Sequence, residues 1–210
     1  MPHNTVDTGE VWTERQKDVL NAALYLLVEG NAEPTMANIA SRASCSKESI
    51  YKWFGDRDRF WQAMVQWQAS QVRLMPLKRE AVDAASLFAS LEHFARDWLR
   101  VLSSTTSIVL NRLAVSHAGS AKSRLGAIVL HNGPAAMARR LKPLLELGRE
   151  AGLLAFDDTE AAFRTFFGLV VRDMQIRLLL GEPSVLQGED ITREAQAATQ
   201  QFFTLYGARE

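Results

Sequence analysis

Between Thr35 and Arg57 the chain sets out hydroxyls and cations at intervals suited to a polyanion. Lys47, Glu48, Ser49 and Lys52, with Trp53, lie off the apolar side of a short helical period formed by Ile50 and Phe54. A lysine can donate to guanine O6 and N7 in the DNA major groove, and a carboxylate can accept from cytosine N4. Thr35 stands where a capping hydroxyl and first-turn N–H groups can meet a phosphate. Phosphate contacts supply affinity and base edges supply discrimination, so the set holds both parts of sequence-selective binding.

Such residues need two short helices folded around a tight turn. Ile39, Ala40 and Ala43 give the first helix its apolar face, and Ile50 and Phe54 give the second its own. Thr35 and Ser46 are the expected N-caps. Ser44-Cys45-Ser46 leaves the turn length of a helix-turn-helix. Helices this short are marginal alone and need a scaffold. The spacing of Val19, Leu20, Ala23, Leu24, Leu27 and Val28 predicts a preceding helix over 13–29, stopped by Gly30. Gly55 breaks the turn motif, and a fourth helix is expected from Asp56 to about Met75, ending before Pro76.

From Arg15 to about Val65 the chain resembles the DNA-binding domain of the tetracycline-repressor (TetR) family. The residues that carry the resemblance are Ala22-Ala23-Leu24, Leu27, Gly30, Thr35, Ile39-Ala40, Ser44-Cys45-Ser46, Ile50-Tyr51, Phe54 and Arg57-Asp58, all in register. The resemblance implies an all-α protein with base-reading side chains at Lys47, Glu48 and Lys52 and phosphate contacts at Tyr51 and Arg57. Arg57 replaces the family's usual lysine, keeping the charge and adding bidentate geometry. Trp53 replaces a frequent histidine, and packing against the fourth helix is its expected role. Ser44 stands where the family has glycine, at a turn whose backbone shape favours glycine. Cys45 matches an apolar family position and is expected to pack as a small hydrophobe.

The 210 residues carry no net charge, so attraction to nucleic acid must be local. From Arg42 to Arg59 five basic residues face three acidic ones, a balance of +2. With that neutral total, a small-molecule-binding helical protein with a degenerate DNA-binding domain is the alternative reading. The hydrophobic fraction of 47% supports a full core. One cysteine excludes an internal disulfide framework and points to a reducing compartment, so a cytoplasmic location is expected. The longest apolar run, Ala22–Val28, is too short to span a membrane, and no secretory signal is visible at the start.

Enzyme chemistry finds no support. His3, His93, His117 and His131 never fall at i, i+3 or i+4 spacing, and paired cysteines, a Gly-rich phosphate loop and a Gly-x-Ser-x-Gly turn are all missing. Asp157-Asp158 before Thr159 reads as the start of a helix. No cofactor or metal is expected.

The organisation expected is a flexible tail over 1–10, a helix-turn-helix domain over 11–60, a connecting helix over 61–76 and a regulatory and dimerisation domain over 77–210. Beyond Pro76 only helical periods appear, over about 84–103, 106–118, 121–131, 134–151, 159–180 and 191–206, with a kink expected at Pro143. The segment 161–180 is apolar on nearly every side, which predicts burial all round, in its own domain and against a second chain. The resemblance implies a homodimer through residues 159–180 and 191–206, bound to a near-palindromic operator. It also implies a small effector of unknown identity inside the bundle. Candidate lining is His93, Phe94, Trp98, Arg112, His117, Met137, Phe163 and Phe167.

Overall fold

Side-chain caps decide where the first short helices begin. Thr35 Oγ1 accepts from the Asn38 N–H (3.2 Å), Ser46 Oγ from the Ser49 N–H (3.1 Å) and Asp56 Oδ1 from the Arg59 N–H (2.9 Å). Each bond satisfies a donor that the helix itself leaves orphaned. The computed structural model describes residues 12–30, 33–120, 123–183 and 188–208; the tail expected over 1–10 lies outside them. The caps start α2 (Met36–Arg42), α3 (Lys47–Phe54) and α4 (Arg57–Ala69), preceded by α1 (Glu14–Gly30). A single 3-10 turn, Arg79–Ala81, separates them from α5 (Ala84–Leu102), α6 (Thr105–Ser116), α7 (Leu125–Asn132) and α8 (Pro134–Glu150). Then come α9 (Thr159–Val171), α10 (Met174–Leu179) and α11 (Gly188–Tyr206). Pro134 opens α8, which continues through Pro143. Among the described residues the fold is all-α, with one isolated bridge between Leu154 and Gly207.

Two apolar cores hold the helices. The first gathers Leu20, Leu27, Ile39, Ile50, Phe60 and Met64 from α1–α4 and adds Leu110 of α6 and Leu125 of α7. The second joins α5, α8, α9 and α11 through Leu91, Phe94, Leu145, Phe166 and Phe202. Helix α4 belongs to both, because Val65 lies in the first core and Ala69 in the second.

Helix α4 ends at Ala69, well short of the Met75 expected from the sequence. Arg140 of α8 donates to the Ala69 and Val72 carbonyls (2.8 and 3.3 Å). The buried Asp97 of α5 accepts from the Arg73 N–H (3.2 Å). These partners satisfy backbone groups that another helical turn would have used, so the chain can leave the helix early.

The segment expected as one helix over 159–180 is likewise two. Arg172 adopts φ +46°, ψ −133° and closes α9. Arg112 of α6 then donates to the Leu178 and Leu179 carbonyls (2.6 and 3.0 Å), fixing the C-terminal end of α10. Within the single chain Ile176 and Leu180 of this segment are exposed.

Ser44 sits in the turn between α2 and α3 with φ +51°, the left-handed region that disfavours a side chain. Ser44→Gly is expected to raise the melting temperature by ~2–4 °C, the scale of about 1 kcal/mol of relieved strain. A lowered melting temperature, measured by circular dichroism, would contradict this account of the turn.

Candidate nucleic-acid interface

Helix α3 is anchored by one face and open on the other. Ile50 and Phe54 are buried, and Phe54 meets Phe60 edge-on at 5.2 Å between ring centres. Lys47, Glu48, Tyr51 and Lys52 are exposed, while Ser49 is half-buried with its Oγ 3.1 Å from Ser46 Oγ. Among the described residues neither lysine has an ion-pair partner, so both charges are available to an external anion. Glu48 does not pair with Lys52. Hydrogen bonds from its own backbone N–H and then from the Ser46 hydroxyl hold its carboxyl below its ordinary range. Tyr51 keeps a large ring 46% exposed, with its hydroxyl able to reach a phosphate. Trp53 and Cys45 are half-buried against the first core.

The turn that aims α3 has external support. Arg15 of α1 donates from Nη2 to the Ala43 and Ser44 carbonyls (2.6 and 2.7 Å), covering the end of α2 and the strained residue. The Arg42 guanidinium lies 3.4 Å from the centre of the Tyr25 ring, tying α2 to α1 a second time. Thr35 is exposed at the start of α2, its Oγ1 already accepting from the Asn38 N–H. Arg57 opens α4, and its guanidinium meets the carboxylate of Glu33, which also accepts from Trp61 Nε1 (2.9 Å).

A separate cavity of about 60 Å³ lies where α4 meets the larger bundle. Of the residues expected to line a pocket, Trp98, Met137 and Phe167 surround it. Phe94 and Phe163 stand one layer behind, with ring centres 5.6 and 6.4 Å from Trp98. The structure does not bring the other three there. His93 sits between Arg96 (2.8 Å from Nδ1) and Asp97 (3.3 Å from Nε2). Arg112 is engaged with α10, and His117 borders a different cleft near Arg57. Gln68, Ser107, Asn111 and Gln175 supply the cavity's polar groups instead. They carry amides and a hydroxyl but no charge.

A profile described as the C-terminal domain of AefR-like transcriptional repressors matches residues 89–208. Across the chain, identity is 44% to a TetR transcriptional regulator from Agrobacterium tumefaciens. Its crystal structure agrees at a TM-score of 0.80, over 94% of this chain and 97% of that one. The chain belongs to the TetR family of transcriptional regulators. The flavonoid-responsive regulator FrrA is similar at 26% identity and a TM-score of 0.66, over 93% and 98% of the two chains. A TetR-family regulator from Pseudomonas syringae pv. tomato shares the fold at 18% identity and a TM-score of 0.64, over 95% and 100%. No curated protein matches the chain significantly.

In this TetR-family regulator α2, the turn and α3 form the helix-turn-helix, and its exposed face was legible in the sequence because the residues that build it are local. Sequence reasoning missed Arg15, whose partners lie 28 and 29 positions away. It also missed Gln68, although it interrupts an otherwise apolar helical stripe, and Asn111, which shares its helix face with Ser107. Among the described residues no group of His, Cys, Asp and Glu could hold a metal ion, and no helix is long and apolar enough to cross a membrane.

Arg15→Ala leaves two turn carbonyls without their donor. It is expected to cost about 1–2 kcal/mol of stability, below the full value of a charged hydrogen bond because the site is partly exposed. DNA affinity should fall with it, and Arg15→Lys should restore only part of either. Melting curves and fluorescence anisotropy with duplex DNA check both; unchanged affinity in Arg15→Ala would deny the arginine a role in aiming α3.

Proposed function

We propose that the protein is a dimeric repressor that reads a near-palindromic operator and is released by a small molecule. Membership of the TetR family supplies the DNA-binding role. The observation that carries the finer reading is the cavity at the junction of the two cores. Its wall includes Val65, Gln68 and Ala69 of α4, the helix that carries the helix-turn-helix. At about 60 Å³ it has room for a few waters, far below the ~300 Å³ or more of a typical ligand pocket. An effector therefore binds an expanded state in which α4 has moved, and the population shifts away from the conformation described here. The apolar and aromatic lining with neutral hydrogen-bonding groups suits an uncharged, largely apolar ligand bearing hydroxyl or carbonyl groups. The flavonoid response of the similar regulator FrrA fits that chemistry.

In this reading Lys47, Glu48, Ser49 and Lys52 face base edges, while Thr35, Tyr51 and Arg57 hold phosphates. The two-fold axis passes between copies of α9 and α11, within residues 159–180 and 191–206. Ala161, Arg164 and Gly168 form an exposed stripe of α9, and Thr204 and Leu205 lie exposed on α11. A Cβ at Gly168 would meet nothing within 4 Å in the single chain, so a partner helix can approach closely there. Two recognition helices held by that dimer match two half-sites of an operator.

Gel shifts with the DNA upstream of its own gene should give a salt-sensitive complex with two chains per site. Lys47→Ala combined with Lys52→Ala should abolish sequence preference, since each lost base contact removes ~1–3 kcal/mol of discrimination. A strictly monomeric protein, or unchanged preference in the double variant, would overturn the assignment. Met137→Trp should fill the cavity. It should keep DNA binding while losing any thermal stabilisation that a hydroxylated flavone gives the wild type.

A further inference from the structure

Among the residues assigned to phosphate contact, Arg57 differs from the rest in one respect. Its guanidinium is held by a carboxylate within the chain, that of Glu33. Glu33 is itself anchored, because the same Oε1 accepts from Nε1 of the buried Trp61 at 2.9 Å. The Glu33 side chain is 23% exposed and that of Arg57 61%, so the acid is the fixed partner and the guanidinium the mobile one. By contrast, Lys47 and Lys52 carry no ion pair among the described residues. The neighbouring acid Asp56 is occupied in capping α4 through the Arg59 N–H.

We propose that Glu33 acts as an internal substitute for a DNA phosphate, so that Arg57 must be taken from it when the complex forms. The inference rests on Arg57 contacting a phosphate, as assigned above. A carboxylate and a phosphate offer the same pair of acceptor oxygens to a guanidinium, so the two compete for one fork of donors. Glu33 thereby lowers the affinity that Arg57 would otherwise give. It is a positioning residue, acting on DNA only through the arginine. The pair borders a polar cleft whose opposite wall carries His117 and Ser123, from the segment between α6 and α7. The competition therefore sits where the larger bundle meets the start of α4.

Glu33→Gln keeps an oxygen for the Trp61 N–H while removing the charge, and melting curves check that it folds as the wild type does. The test measures affinity by anisotropy on the full-length protein, with a duplex covering the region upstream of its own gene, across a series of salt concentrations. Glu33→Gln should bind about two- to thirtyfold more tightly, the range of two partly exposed ion pairs, one in each protomer of the dimer. Glu33→Ala should show the same gain. Arg57→Ala should bind more weakly, and its plot of log K against log salt should be shallower by ~1.8, the signature of two lost phosphate contacts, one from each protomer of the dimer. In the Arg57→Ala background, Glu33→Gln should give no gain. A gain that persists there would mean simple repulsion between Glu33 and DNA and would overturn the proposal. So would unchanged or weaker binding by Glu33→Gln when Arg57→Ala still loses affinity and slope. If Arg57→Ala changes neither affinity nor slope, the phosphate assignment of Arg57 fails first and takes the inference with it.

Discussion

Helix α4 must satisfy two cores at once, and the rest of the molecule is arranged around that demand. Phe60, Met64 and Val65 are buried with the helix-turn-helix, while Ala69 and Val72 are buried with the larger bundle. A helix is stiff over 13 residues, so a displacement imposed at one end reaches the other with little loss. At the bundle end the Arg140 donors and the Asp97 carboxylate fix where the helix stops. At the DNA end Asp56 caps it, and Arg57 lies against Glu33. The helix is thus gripped by polar contacts at both ends and by apolar contacts along its length.

The helix-turn-helix achieves its geometry with little material. Helices of seven and eight residues have almost no independent stability. Their shape comes from hydroxyl caps, a buried stripe and the reach of Arg15 from α1. Glycine at position 44 would remove the backbone strain, yet the turn holds serine there because Arg15 and the flanking caps over-determine its shape. With the apolar face of α3 committed to the core, its cations are left facing solvent. That local surplus allows a protein of zero net charge to bind a polyanion.

The cavity obeys a different logic. Its lining comes from seven of the eleven helices described, α4 to α10. In the proposed mechanism a ligand rearranges the walls of this small cavity on binding. Packed interiors respond to such a demand by moving between discrete arrangements rather than by gradual deformation. In that mechanism a wall shared with α4 turns occupancy into a change of domain orientation.

The primary structure by itself determined the features that depend on near neighbours. The all-α class, the caps at Thr35 and Ser46, the turn at Ser44 and the exposed face of α3 follow from residues within one or two helical turns of each other, where periodicity and capping chemistry operate. Tertiary structure alone decided the features that depend on partners far along the chain. The early end of α4 waited on Arg140 and Asp97, and the break between α9 and α10 on the backbone at Arg172. Tertiary packing also left His93, Arg112 and His117 outside the cavity and put Gln68, Asn111 and Gln175 in it. Helical periodicity tells which face of a segment is buried but not which other segment buries it, so a lining assembled from several helices cannot be read one helix at a time.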